Sequence, residues 1–330
     1  MAAPAAAVAA ALSVLAAACA GARASGTETP PGGAISHPTG PTDLILRVET
    51  RGGLLGPEAA VQIPPSFSLF GDGTVVVPGA EPMIFPGPAL PTFTSFHLTE
   101  AGVQAILRAA RDAGLLGPSR RVGGIGLPDV GITTVTVVAG GATHVTTFSP
   151  AAVQGKPPTG TGGSTNGSAG SSGTSAGGAA PGAVGAAEPD IATVTSPLPK
   201  LPLVRIGNFL ARLGDLTTWL PKGSVGSQGT FMPDNLAVYV RSGAPPAHGG
   251  LTQKAVDWPA ADSPLNAFGD PTLGVPGTRC GVVTGADAAS VLAAAERANQ
   301  LTPWMSAGGL YTLQFRPLLP DQHTCPTIAA

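Results

Sequence analysis

The chain has 330 residues, dominated by Ala, Gly and Pro, with only 11% charged residues and a net charge near −2. That balance leaves no electrostatic footprint for nucleic acid, and no Lys/Arg cluster forms a stripe that could follow phosphates. Beyond the N-terminus there is no run of about 20 apolar residues, so nothing else has the length of a membrane span.

Ala5 to Ala18 is an uncharged, small-residue apolar run that suits a secretory leader over residues 1–18. Leu15, Ala16, Ala17 and Ala18 lead to Cys19 in the manner of a bacterial lipobox, in which small residues precede a cysteine that is diacylated before cleavage. The aliphatic residue lies one place further from the cysteine than usual, and no Lys or Arg precedes the run. The second scheme is ordinary secretion, with cleavage after the A-x-A site Ala22, Arg23, Ala24. Either cleavage leaves Cys280 and Cys325 as the two cysteines able to pair, and in an oxidising compartment they are expected to form a disulfide.

Residues 19–42 are mostly Gly, Pro, Thr and Ser without apolar periodicity and read as a flexible tether. Structure is expected to open at Asp43, where Leu44, Leu46 and Val48 alternate with Ile45, Arg47 and Glu49 as in a half-buried strand. SFSLF and TVVV flank Gly71, Asp72 and Gly73, a hairpin with a glycine-based turn. After a Pro-rich stretch, Phe93 to Leu98 forms a strand and Thr99 caps a helix. The apolar face of that helix is Val103, Ile106, Leu107 and Ala110, and Gly114 terminates it. ITTVTVVA and THVTTF bracket Gly140 and Gly141 as a second hairpin.

Residues from about 151 to 199 collapse to Gly, Ala, Ser, Thr and Pro and read as a disordered insertion within an α+β domain over 43–222. A second amphipathic helix carries Leu203, Ile206, Phe209, Leu210, Leu213 and Leu220 and stops at Pro221. A second α+β unit with the disulfide is expected over 223–330, opening on the strand NLAVYV and closing on a strand from Tyr311 to Arg316. Within it Thr284, Ala288, Val291, Leu292, Ala295 and Asn299 match Thr99, Val103, Ile106, Leu107, Ala110 and Gly114 at a shift of 185 positions. The fold class expected is α+β, mainly antiparallel sheet with helices on one face, with either two related β-α-β units or a match that reflects shared helix grammar.

FSLFGDGTVVV, HLTEAGVQAILRAARDAGLL, TTVTV and the helix near 203–222 together resemble a group of uncharacterised exported domains, many from actinobacteria. The resemblance covers about 43–150 and 203–222. It implies an antiparallel sheet with helices packed on one face, often behind a lipoprotein signal, and it carries over no catalytic residue.

Chemical signatures are sparse. Gly173 to Gly177 spells G-x-S-x-G, but within low-complexity sequence that cannot supply the strained strand-to-helix turn such a nucleophile needs. His97 and His144 fall on strands, with Asp129 nearby in sequence, and are the candidates for a metal or acid–base site. Asp72 reads as turn chemistry in preference to a calcium ligand, because no further carboxylates accompany it. Trp258 and Trp304 read as core or disulfide packing, with exposed binding anchors as the alternative. No cofactor is expected. Three functions follow: a non-catalytic, lipid-anchored envelope protein binding a protein, glycan or small ligand; an exported enzyme using His97, His144 and a carboxylate; or a structural module whose Ser/Thr-rich insertion is glycosylated. The expected location is the outer face of the cell membrane, with secretion as the alternative.

Overall fold

A computed structural model of the chain describes residues 33–53, 63–122, 131–149, 200–247, 249–269 and 277–326. The leader, Cys19, Asp129, the Gly/Ser-rich insertion and its G-x-S-x-G run all lie outside them. The chain divides into two compact units, Met1–Ala34 and Ile35–Ala330, and every element below belongs to the second. Its body opens earlier than Asp43. Ile35 packs on the main core, its N–H donates to Gln104 Oε1 at 2.9 Å, and its carbonyl accepts from Gln104 Nε2 at 2.8 Å. The Ser36 carbonyl accepts from Gly140 N–H at 2.7 Å. Residues 35–42 are therefore part of the body and not of a tether; one apolar residue among Gly, Pro and Thr gives too weak a period to reveal this.

The class is α+β: two mostly antiparallel sheets and three helices among the described residues. The first sheet holds β1 (Leu44–Arg51), β2 (Phe67–Phe70), β3 (Thr74–Pro78), β4 (Phe93–His97), β5 (Arg120–Val122), β6 (Ile132–Ala139), β7 (Ala142–Phe148) and β8 (Gly229–Thr230), in the order β5-β7-β6-β1-β2-β3-β4-β8. All pairs are antiparallel except β5 with β7. Because β8 pairs with β4 and Val225 bridges Leu98, this sheet draws in residues beyond 222.

Side-chain alternation sends Val48, Phe67, Leu69, Val135 and Val137 to one face, where they meet helix α1 (Glu100–Asp112) and helix α2 (Lys200–Leu213) in one core. α2 ends at Leu213, and Leu216 and Leu220 reach the same core through a short 3-10 turn rather than by continuing the helix to Pro221. The expected alternation of β1 holds from Leu46 onward. A bulge at Ile45 places two residues of β1 against one of β2, so Ile45 and Leu46 both join the helix-side core while Leu44 packs with Phe70 and Val76 on the other face.

The second sheet holds β9 (Asn235–Ser242), β10 (Val256–Asp257), β11 (Thr278–Thr284), β12 (Trp304–Ser306) and β13 (Gly309–Pro317), in the order β10-β12-β13-β9-β11. Helix α3 (Gly285–Ala295) covers one face, packing Ala288, Val291 and Leu292 over Leu236, Val238, Val240, Leu313 and Phe315. Trp258 and Trp304 belong to this core, 7% and 1% exposed, with ring centroids 6.1 Å apart edge to face. They are core packing on the face opposite the disulfide. The repeat holds at its start, since Thr99 and Thr284 both stand one residue before a helix. It fails at its end: α3 stops with Glu296 as its C-cap, and Asn299 instead caps a turn through Leu301 N–H.

The two sheets face each other through their helix-free sides. The chain leaving β13 runs between them: Leu318 packs against Ala237 and Tyr239 of the second sheet, and Leu319 against Phe70, Val76 and Phe93 of the first. Asp321 then takes both guanidinium nitrogens of Arg47, at 2.9 and 2.7 Å. Finally Cys325 is bonded to Cys280, with Cα atoms 6.2 Å apart.

Candidate functional site: the cleft between the sheets

Alternation along β9, β11 and β13 gives the inner face of the second sheet an ordered set of rows. Thr278, Arg241 and Thr312 lie side by side in one row, and Cys280, Tyr239 and Gln314 in the next. A third row, Val282, Ala237 and Arg316, lies deeper. Arg316 is 2% exposed and faces Glu49, Arg47 and Arg51 of β1, so the polar side of that strand meets protein and not water. Burial depresses the pKa of the Arg316 guanidinium, with Tyr239 and Glu49 acting to raise it.

Over the first two rows a cleft of about 700 Å³ opens between the second sheet and the chain that joins β3 to β4. Its floor is Tyr239, Arg241, Thr278, Thr312 and Gln314. Its opposite wall is the lobe between β3 and β4, which contributes Glu81, Pro82, Ile84, Phe85, Pro88 and Leu90. This lobe is held at its base by Gly79 N–H to the Thr92 carbonyl at 2.8 Å. It is held at its far side by Ala89 N–H to Ala298 O at 3.2 Å and by Gln300 N–H to Gly87 O at 3.0 Å. A wall fixed at several points and rich in proline loses little entropy when a ligand arrives. The Tyr239 hydroxyl donates to the Pro326 carbonyl at 3.2 Å, so the disulfide-tethered tail covers it, and burial raises its pKa. Apolar walls with a few convergent hydrogen-bonding groups are the usual make-up of a ligand site.

A second cavity of about 550 Å³ lies on the helix side of the first sheet, between Val48, Phe67 and Phe96 and the segment from Leu210 to Thr217. Its apolar members belong to the main core.

The structure does not bring the two candidate histidines together. His97 is on β4 and His144 on β7, with β6, β1, β2 and β3 between them, about 24 Å at the usual strand spacing. Ligands of one metal sit within a few ångströms of each other. His97 Nε2 instead contacts the Asp72 carbonyl and His144 Nδ1 the Gly117 carbonyl at 2.8 Å, so each secures a local turn. Asp72 accepts from Thr74 N–H and Thr74 Oγ1, both at 2.9 Å, which is turn chemistry. No group of three His, Cys, Asp or Glu side chains able to hold a metal occurs among the described residues. No helix among them is long and apolar enough to cross a membrane.

The cleft is not legible in the sequence. Its floor alternates like any solvent-facing strand side, and its wall lies in a Pro-rich loop. The available signal was Met83, Ile84 and Phe85, three large apolar residues in succession inside that loop. Comparison of the chain with family models, with curated proteins and with solved structures finds no match.

Proposed function

We propose that this is an exported protein of the bacterial cell envelope, held at the outer face of the membrane by a diacylated Cys19, and that it is a non-catalytic binding module whose ligand occupies the cleft between its sheets. The observation that carries the compartment is the Cys280–Cys325 disulfide. Such bonds persist where the surroundings are oxidising and are rare in reducing cytoplasm. The apolar leader and the small residues before Cys19 agree with it, as does the resemblance to exported domains. Binding is supported by the character of the cleft: the Gln314 amide and the Arg241 guanidinium line its floor, opposite a wall anchored at both ends.

The anchor is tested by palmitate labelling and membrane fractionation of wild type beside Cys19→Ala. Label and membrane residence in wild type, both lost in the variant, are the expected result. Equal membrane residence of both forms without label defeats the anchor, and release of an unlabelled wild type into the medium favours cleavage after Ala24.

A further inference from the structure

We infer that the loop joining β3 to β4 seats its tip, Met83, Ile84 and Phe85, in the interfacial layer of a phospholipid bilayer, as a second membrane contact beside the N-terminal anchor. The inference goes beyond the cleft and does not depend on what the cleft holds; it rests on the anchor reading only for the nearness of the bilayer. Ala80 through Phe85 are all exposed. Met83, Ile84 and Phe85 are 104%, 65% and 56% exposed. Single apolar side chains on a surface are ordinary, but three large ones in succession hold a contiguous apolar surface in water and mark a contact site. Slackness of the loop does not account for the exposure. The bond from Gly79 N–H to the Thr92 carbonyl closes the base of the loop. Those from Ala89 N–H to Ala298 O and from Gln300 N–H to Gly87 O fasten its returning limb to the turn after α3. The tip is therefore presented on a fixed support.

The chemistry of the tip favours a bilayer over a protein partner. From Gly79 to Pro91 the loop carries one charged residue, Glu81, and no Lys or Arg. Little charge has to leave water, and nothing in the loop draws it to anionic head groups. A protein interface surrounds its apolar centre with polar side chains, whereas Pro82 and Pro86 flank this one. The backbone is equally poor in donors. Pro82, Pro86 and Pro88 have no N–H, and the Ile84 N–H donates to the Pro82 carbonyl at 2.9 Å, so the middle of the tip is satisfied internally. Backbone that enters an apolar medium must satisfy its own donors, and a proline-rich turn has few to satisfy. Reach agrees with this. Cys19 stands 16 residues before Ile35, where the body begins, and such a length spans at most about 55 Å when extended. An acylated Cys19 would keep the body within that distance of a bilayer, the largest apolar surface open to the tip.

The test uses the full chain carrying Met83→Trp, with phosphatidylcholine vesicles whose acyl chains are brominated close to the head groups. Tryptophan fluorescence is read against the same vesicles without bromine, which quenches only an indole that reaches it. Wild type, with tryptophans at 219, 258 and 304, supplies the background. The expected result is a blue shift and quenching at position 83, unchanged in high salt and no stronger when phosphatidylglycerol is added, since no charge pair is involved. Ile84→Asp and Phe85→Asp, added to Met83→Trp, should abolish both signals. These side chains are exposed, so an unchanged melting temperature and an intact disulfide are expected of each variant, and Ile84→Trp is a second probe if Met83→Trp lowers the melting temperature. No quenching from either probe, quenching that survives the two aspartates, a signal only with phosphatidylglycerol, or a dimer of this chain that hides the tip and ignores the vesicles would each overturn the inference. Palmitate labelling reads Cys19 and quenching reads the tip, so each can fail alone. A labelled anchor with an unquenched tip leaves the anchor standing, and a quenched tip on an unlabelled chain leaves the tip standing.

Discussion

Arg47 and Tyr239 show how single side chains hold the inner layer together. Arg47 is 11% exposed and gives Nη1 and Nη2 to Asp321 while its Nε donates to Ser68 Oγ at 3.3 Å. A bidentate pair fixes direction as well as distance, so it sets the path of the chain leaving β13. Asp321→Ala leaves a largely buried guanidinium without its carboxylate and is expected to cost about 2 kcal/mol in urea unfolding, a value reduced from that of a fully buried pair because Asp321 is 22% exposed. Asp321→Asn, which keeps an acceptor oxygen, should cost less. Tyr239 makes a different prediction. Burial raises its phenol above the ordinary 10.0, against smaller opposing effects from Arg316 and Arg51. The folded state therefore holds this proton more tightly than the unfolded chain, and the stabilisation is complete below pH 10.0 and lost as pH climbs through the raised value. Unfolding free energies measured from about pH 9 to pH 11 should fall more steeply for wild type than for Tyr239→Phe. Parallel slopes would show that the phenol is not what titrates. Neither role was legible in the sequence, because Asp321 lies 274 residues from Arg47 and nothing local connects them.

At the scale of elements, local chemistry explains what could be read. Helix α1 ends in a Schellman motif: Gly114 N–H donates to Arg111 O at 2.8 Å and Leu115 N–H to Ala110 O at 2.9 Å, with Gly114 at φ +79° and Leu115 and Ala110 both buried. Glycine there was a dependable stop signal, since a left-handed residue is what the motif requires. Gly114→Ala is expected to cost about 1 kcal/mol for the positive φ. The other end of the helix behaves differently. Thr99 has the extended backbone of an N-cap but makes no side-chain capping bond, and the same is true of Thr284. Thr99→Ala should therefore change stability by no more than about 0.5 kcal/mol, well below the loss expected of a working cap. A larger loss in thermal denaturation would mean that the hydroxyl does cap the helix in solution. Gly73 is the strictest turn position: at φ +91°, an added Cβ would lie 2.3 Å from the Leu98 carbonyl, and Gly73→Ala should prevent the β2–β3 turn from closing against β4. Hairpins and helices were legible because their signals sit within a few residues. The bulge at Ile45 and the end of α3 before Asn299 were not, because pairing partners and tertiary packing decide them.

For the whole molecule, period-2 alternation gave the faces of each sheet but not what each polar face meets. Arg47, Glu49 and Arg51 read as a solvent side, yet Arg316 of the second sheet faces them. The cleft forms between the second sheet and the loop joining β3 to β4, segments far apart in sequence, so alternation within either could not reveal it. The segment that joins them is the C-terminal strap, with Leu318 on one sheet, Leu319 and Asp321 on the other, and Cys325 closing it back onto Cys280. The disulfide encloses 45 residues of chain, including α3, β12 and β13, and on the loop-entropy account it stabilises the fold by about 4 kcal/mol. Its position adds a spatial prediction to that energy. When Cys325→Ser is compared with wild type, or reduced with oxidised protein, the melting temperature should drop. Hydrogen exchange should rise first in the strap and at Tyr239, whose hydroxyl then loses the Pro326 carbonyl, while the α1–α2 core keeps its protection. Uniform loss of protection across both sheets would mean that the bond holds the entire fold rather than the strap. Protection unchanged in the strap, with the bond reduced, would mean that Arg47 and the two leucines secure it unaided, leaving the disulfide to act on the unfolded chain alone.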